Sequence, residues 1–160
     1  MPKYAYYTFS QFNRRIFRIG YEHNNITSAS IVAHIDIPNE PSNVSDAAFQ
    51  QLSEYFNKER QVFDLPLAPQ GSAFQQRVWS ALQQIPYGQT RSYKDIALDI
   101  NNPKAYRAVG MANNKNPLMI FIPCHRVIGS NHRLVGYAGG LDIKEELLAL
   151  ENPLTLHRIK

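Results

Sequence analysis

Apolar and polar positions fall into two different rhythms along this chain. In the first third, Tyr4-Ala5-Tyr6-Tyr7-Thr8-Phe9, Ile16-Phe17-Arg18-Ile19 and Ser30-Ile31-Val32-Ala33-His34-Ile35 are β-branched and aromatic runs separated by polar segments such as His23-Asn24-Asn25, and they predict strands. From Ser45 the spacing changes: Phe49, Leu52 and Phe56 stand at i, i+3 and i+7, one face of a helix. Leu65-Pro66-Leu67-Ala68-Pro69-Gln70-Gly71 is a stiff connector and the best place for a boundary.

Helical spacing dominates after that connector. Ser72-Ala73-Phe74-Gln75 fits a capping box, in which hydroxyl and amide satisfy each other's backbone N–H groups. Phe74, Val78, Ala81, Leu82 and Ile85 follow at helical spacing, with Trp79 as core, until Pro86-Tyr87-Gly88 ends the helix. Ser92-Tyr93-Lys94-Asp95 is a second box and starts a short helix to about Asp99. Asn101-Asn102-Pro103 supplies a turn, a cap and a first-turn proline for a helix from about Pro103 to Asn113. Two short helices joined by a tight turn suggest a helix-turn-helix, a pattern that any αα-hairpin shares. The apolar run Leu118–Ile122 leads into Pro123-Cys124-His125-Arg126, Gly136–Gly140 reads as a loop, and a last helix over about Asp142–Leu150 is expected to bury Ile143, Leu147 and Leu150.

Composition narrows the class. With 44% apolar and 19% charged residues in 160, the chain is globular and long enough for one core or two small subdomains. No stretch approaches the roughly 20 apolar residues of a membrane span, and Met1–Phe12 has no signal-peptide core, so an intracellular protein is expected. The net charge of +4 is uneven: residues 1–70 hold six Lys/Arg against seven Asp/Glu, and residues 71–160 hold eleven against six. A polyanion partner would suit the second half.

The single cysteine, Cys124, excludes an internal disulfide and a multi-cysteine zinc site. A lone intracellular cysteine is more often a small buried hydrophobe than a nucleophile. Its neighbours alter that balance. A thiol reacts as the thiolate, with a free pKa of about 8.5 that falls beside His or Arg. His125 could accept its proton, and a carboxylate could orient His125; Asp142, Glu145, Glu146 and Glu151 are the candidates.

Ile122-Pro123-Cys124-His125-Arg126-Val127-Ile128 resembles the active-site signature of the O6-alkylguanine-DNA alkyltransferases. Tyr87-Gly88, Ser92-Tyr93, Arg107-Ala108-Val109-Gly110, Asn116-Pro117, Tyr137-Ala138-Gly139-Gly140-Leu141, Lys144 and Leu150-Glu151 stand in that family's order and spacing, so the resemblance covers residues 72–151. It implies an α+β fold: an N-terminal α/β subdomain with a small antiparallel sheet over 1–68, and a mostly helical C-terminal subdomain over 69–160 with the helix-turn-helix and the active-site cysteine.

The resemblance also implies an activity and its residues. The protein would be a methylated-DNA-[protein]-cysteine S-methyltransferase, repairing O6-alkylguanine, with O4-alkylthymine left open, by a single irreversible transfer to Cys124 after base flipping. His125 would be the base, acting through a water, and Glu151 its orienting carboxylate. Tyr93 would donate to the departing base, and Asn116 would hold the turn before the cysteine. Arg107 would enter the base stack, with the small residues Ala105, Ala108 and Gly110 allowing close approach to the minor groove of double-stranded DNA. Val127, Tyr137, Ala138 and Lys144 would line the base pocket.

No metal and no cofactor is expected. The expected state is a monomer, with cooperative assembly on DNA left open, in the cytoplasm of a prokaryote or the nucleus of a eukaryote. The chain departs from the common pattern at Ala138, where serine is frequent, and at Tyr106 and Met111 beside the DNA-contacting residues. Three rivals stand beside this reading. An alkyltransferase-like lesion binder would lack the acceptor cysteine. A major-groove regulator would leave the Cys-His pair without a role. A cysteine hydrolase would turn over repeatedly.

Overall fold

The computed structural model describes residues 1–129 and 140–155. Two compact units emerge, Met1–Gln70 with Pro117–Met119, and Gly71–Asn116 with the described residues beyond Met119. The short return of Pro117–Met119 to the first unit is a feature that a contiguous two-piece division does not contain.

The first unit is an antiparallel sheet in the order β1-β2-β3, with β1 at Lys3–Phe9, β2 at Arg15–Glu22 and β3 at Asn25–Val32, and the helix α1 at Asn43–Phe56. The third strand departs from expectation, starting at Asn25 instead of Ser30 and ending at Val32 instead of Ile35. The cause is the hairpin: Glu22 pairs with Asn25 across a two-residue turn in which His23 adopts φ 55°, so pairing begins at once. Ile26 and Ala29 are then buried, whereas Ile35 is 55% exposed. Beyond β3 the chain crosses to the free edge of β1, where Glu40 N–H donates to the Tyr4 carbonyl at 2.8 Å.

Helix α1 begins at Asn43, two residues before Ser45, because Ser42 is the cap and Ser45 the third helical residue of a reciprocal capping box. It turns Val44, Ala48, Leu52, Tyr55 and Phe56 inward. Phe56 stacks on Phe12 with centroids 4.6 Å apart, and Phe9 meets Phe17 edge-on at 5.2 Å. Geometries of this kind add to the area each ring removes from water.

The second unit holds α2 at Ala73–Leu82, α3 at Tyr93–Asp99, α4 at Tyr106–Asn114 and α5 at Leu141–Glu151. Both expected capping boxes, Ser72/Gln75 and Ser92/Asp95, are formed. Trp79 of α2 is buried and its indole N–H donates to the Ala112 carbonyl of α4 at 2.9 Å. Helix α4 starts three residues later than expected. The chain from Ile100 first makes tight turns, with Asn101 at φ 59° and Ala105 N–H on the Asn102 carbonyl, so Pro103 lies outside the helix. Two strands of two residues, β4 at Arg91–Ser92 and β5 at Val127–Ile128, pair in parallel. This pairing ties the start of α3 to the residues just after Cys124.

The buried face of α5 also differs from the expected Ile143, Leu147 and Leu150. Ile143, Lys144, Leu147, Leu148 and Glu151 are buried, while Leu150 is half-exposed. Two charged residues occupy the inward stripe, and a hydrophobicity pattern cannot foresee that. The expected loop at Gly136–Gly140 lies outside the described residues except for Gly140, which caps α5 at φ 100°.

Candidate active site

The apolar run before the cysteine is bent. Ala29 takes Pro117 and Met119 into backbone hydrogen bonds of 2.8 and 3.1 Å, and then Ile120 adopts φ 73°. That conformation is rare for a β-branched residue and marks local strain. Pro123, at φ −80° and ψ 64°, sits at the centre of an inverse γ-turn, with Cys124 N–H donating to the Ile122 carbonyl at 2.7 Å. The same carbonyl accepts Asn116 Nδ2 at 2.8 Å. Cys124 then opens a single 3₁₀ turn, Cys124–Arg126, and is 6% exposed.

That turn carries His125 and Arg126 into contact with Glu151 at the end of α5. His125 Nε2 lies 2.6 Å from Glu151 Oε2. Arg126 approaches the carboxylate with two nitrogens, Nε to Oε1 at 2.8 Å and Nη2 to Oε2 at 3.0 Å, and its Nη1 donates to the Ile85 carbonyl at 2.7 Å. Gly88 N–H donates to Glu151 Oε1 at 3.2 Å. Gly88 is at φ 80°, a conformation that favours glycine, and its carbonyl accepts Asn152 Nδ2 at 3.2 Å.

The protonation states follow from burial and from these partners. Burial pushes the Glu151 carboxyl up, but His125 and Arg126 outweigh it and hold the group well below the usual carboxylate range. Glu151 is therefore an anion. Burial also holds the His125 imidazole below its ordinary value against the upward pull of Glu151, so the ring is neutral at pH 7. A neutral ring beside a carboxylate keeps its proton on Nε2. Nδ1 is left as a buried acceptor without a hydrogen-bond partner among the described residues.

Tyr93, the first residue of α3, is half-buried. Burial, and then the charge of Cys124, raise its pKa, so its phenol stays protonated. Its ring edge lies 3.8 Å from where a side chain would begin at Gly110 of α4. Lys144 is fully buried, and its ammonium donates to the Val127 carbonyl at 2.5 Å. Burial lowers its pKa to about 8, against a smaller upward effect of Cys124. Val127 is also fully buried. On α4, Arg107 and Ala108 are exposed, and Ala105 caps the helix without a side-chain bond. Tyr137 and Ala138 lie outside the described residues.

Three participants were not singled out from the sequence. Arg126 is not a free cation for the thiol, since its guanidinium is committed to Glu151 and Ile85. Gly88 belongs to the cluster through its N–H, whereas the sequence showed it only as part of a turn and of the family's ordered pattern, without a role. Asn113 is 1% exposed, with Nδ2 3.4 Å from the Cys124 carbonyl. Glu151 is not a solvated residue at a helix end, because its side chain is 1% exposed.

Residues 73–153 match the family model described as the 6-O-methylguanine DNA methyltransferase DNA-binding domain. The methylated-DNA–protein-cysteine methyltransferase of Methanosarcina barkeri is 62% identical over 104 residues, 65% of this chain and 66% of that protein. The constitutive methylated-DNA–protein-cysteine methyltransferase of Bacillus subtilis is 57% identical over 113 residues, 70% and 68% of the two chains. The matches thus span about two thirds of these relatives' length. Among solved structures, Mycobacterium tuberculosis O6-methylguanine methyltransferase superposes with a TM-score of 0.85 at 38% identity, covering 98% of this chain and 99% of that one. The same organism's OGT in complex with DNA gives 0.84 at 39% identity, covering 96% and 98%.

Proposed function

This chain belongs to the 6-O-methylguanine DNA methyltransferase family, and we propose that it repairs alkylated DNA directly by moving the alkyl group of O6-alkylguanine onto its own Cys124. The observation that carries the proposal is the buried cluster behind the cysteine, in which His125 and Arg126 keep Glu151 ionised and Glu151 fixes the tautomer of neutral His125.

In this reading His125 Nδ1 takes the thiol proton through a water, and Glu151 stabilises the resulting imidazolium. The thiolate attacks the alkyl carbon in line. The S–C bond forms as the C–O6 bond breaks, and the electron pair stays on the guanine. Tyr93, protonated at pH 7, gives that base a proton. His125 releases a proton and Tyr93 regains one, so the net change moves one alkyl group and one proton. The thioether has no route back to thiol, and each molecule reacts once.

Asn116 holds the Pro123 turn, and Val127 and Lys144 are assigned to the base pocket. The target atom is hidden within a duplex, so the base must be flipped out. Arg107 fills the space it leaves, while Ala105, Ala108 and Gly110 let α4 approach the minor groove of double-stranded DNA.

The decisive measurement is the mass of the Cys124 peptide after incubation with a duplex containing O6-methylguanine. One added methyl group per repaired guanine is expected. Restored guanine with unmodified Cys124 would reject the proposal, as would repair by Cys124→Ala.

A further inference from the structure

The side chains around Tyr106 are explained by neither the core nor the cysteine cluster. Tyr106 is the first residue of α4 and is 38% exposed. Lys94 of α3 places Nζ 5.6 Å from the centroid of its ring, and Arg107 places Cζ 5.9 Å from the same centroid. Both fall within the range in which an aromatic face attracts a cation. Neither cation has an ion-pair partner among the described residues.

The Arg107 contact is informative because neighbouring residues on a helix point in different directions. The guanidinium nevertheless lies 5.9 Å from the centroid of the preceding ring, and holding it there takes up freedom that a long exposed side chain otherwise keeps. Two like charges gathered at one ring would separate if nothing attractive held them. Among the described residues the ring is the group that attracts both.

We propose that Tyr106 is a positioning residue for Arg107: its ring, shared with Lys94, holds the guanidinium at the start of α4 before DNA arrives. A side chain already restrained loses less freedom when it docks, so the restraint speeds the step in which Arg107 replaces the flipped base. The inference rests on the function proposed above, and it concerns duplex DNA only. A free base needs no flipping and does not use Arg107.

The test compares single-turnover methyl transfer to Cys124 from an O6-methylguanine duplex and from free O6-methylguanine base. Tyr106→Ala is expected to slow the duplex reaction about two- to fivefold, the scale of an exposed cation–π contact, and to leave the free-base reaction unchanged. Tyr106→Phe, which keeps the ring, should match the parent on both. In an Arg107→Ala background, Tyr106→Ala should have no further effect, because its action runs through Arg107. The inference is overturned if Tyr106→Ala repairs duplex at the parental rate, if it slows both substrates alike, or if its full effect persists without Arg107. A parent protein that takes methyl groups from neither substrate would instead overturn the proposed function and, with it, this inference.

Discussion

Glu151 holds together groups that would otherwise be stranded in the interior. Its carboxylate meets two nitrogens of Arg126, one of His125 and the N–H of Gly88. Glu151→Gln keeps the shape and removes the charge, leaving the Arg126 guanidinium buried and uncompensated. Breaking one side of a buried pair costs about 3–5 kcal/mol, and urea denaturation at pH 7 should show a loss of that order. An unchanged urea midpoint would mean that Arg126 finds another partner. The same cluster makes stability depend on pH. His125 has a lower pKa folded than unfolded, so below about 6.5 the unfolded chain binds the proton first and stability declines as pH falls. Glu151 is likewise depressed and adds a loss of the same sign below about 4.3. Urea midpoints measured from pH 8 to pH 5 should therefore fall. A flat profile through pH 6 would show that His125 is not held neutral.

At the scale of elements, the start of α3 sets the place of Tyr93. Ser92 accepts Asp95 N–H at 3.0 Å, Asp95 accepts Ser92 N–H at 2.8 Å, and Ser92 also pairs with Ile128 in the β4–β5 ladder. One residue thus fixes both the helix terminus and its attachment beside the cysteine. Ser92→Ala removes the cap but not the ladder, and a cost of about 1 kcal/mol is expected in thermal or urea unfolding. Methyl transfer from both duplex and free base should slow together, because in the proposed reaction Tyr93 serves the leaving base in either case. Slowing of the duplex reaction alone would instead tie Ser92 to DNA contact. The late start of α4 is a lesson at this scale too: Pro103 is a good first-turn residue, yet the turns after Ile100 delay the helix until Tyr106.

For the molecule as a whole, the uneven charge matters more than the net charge of +4. Eleven Lys/Arg stand against six Asp/Glu after residue 70, and Arg126 and Lys144 among them are buried, so side chains such as Lys94 and Arg107 supply exposed positive charge. Phosphate neutralisation releases counterions, so affinity for duplex falls as salt rises. Repair of duplex at limiting protein should weaken steeply between about 50 and 200 mM salt, whereas reaction with the free base should stay nearly constant. Equal salt responses would argue that the basic excess serves solubility alone.

Much of this was legible in the sequence because it is local. The capping boxes at Ser72 and Ser92, the helical spacing around Val78 and Leu82, and the strand-rich first third depend on residues within a few positions of one another. The motif from Ile122 to Ile128, with its ordered companions, carried the family and the chemistry. The sequence could not choose among Asp142, Glu145, Glu146 and Glu151 by chemistry alone, nor reveal that Arg126 serves the carboxylate. Those outcomes depend on α5 being laid against the turn at Cys124, which buries Lys144 and Glu151 with their partners already present. Residues 25 and 63 positions apart, such as Arg126 and Gly88 around Glu151, leave no periodic trace. The resemblance could name Glu151, but the charge of a buried group is set by what surrounds it in space, so only the tertiary structure decided that Arg126 and the Gly88 N–H share that carboxylate with His125.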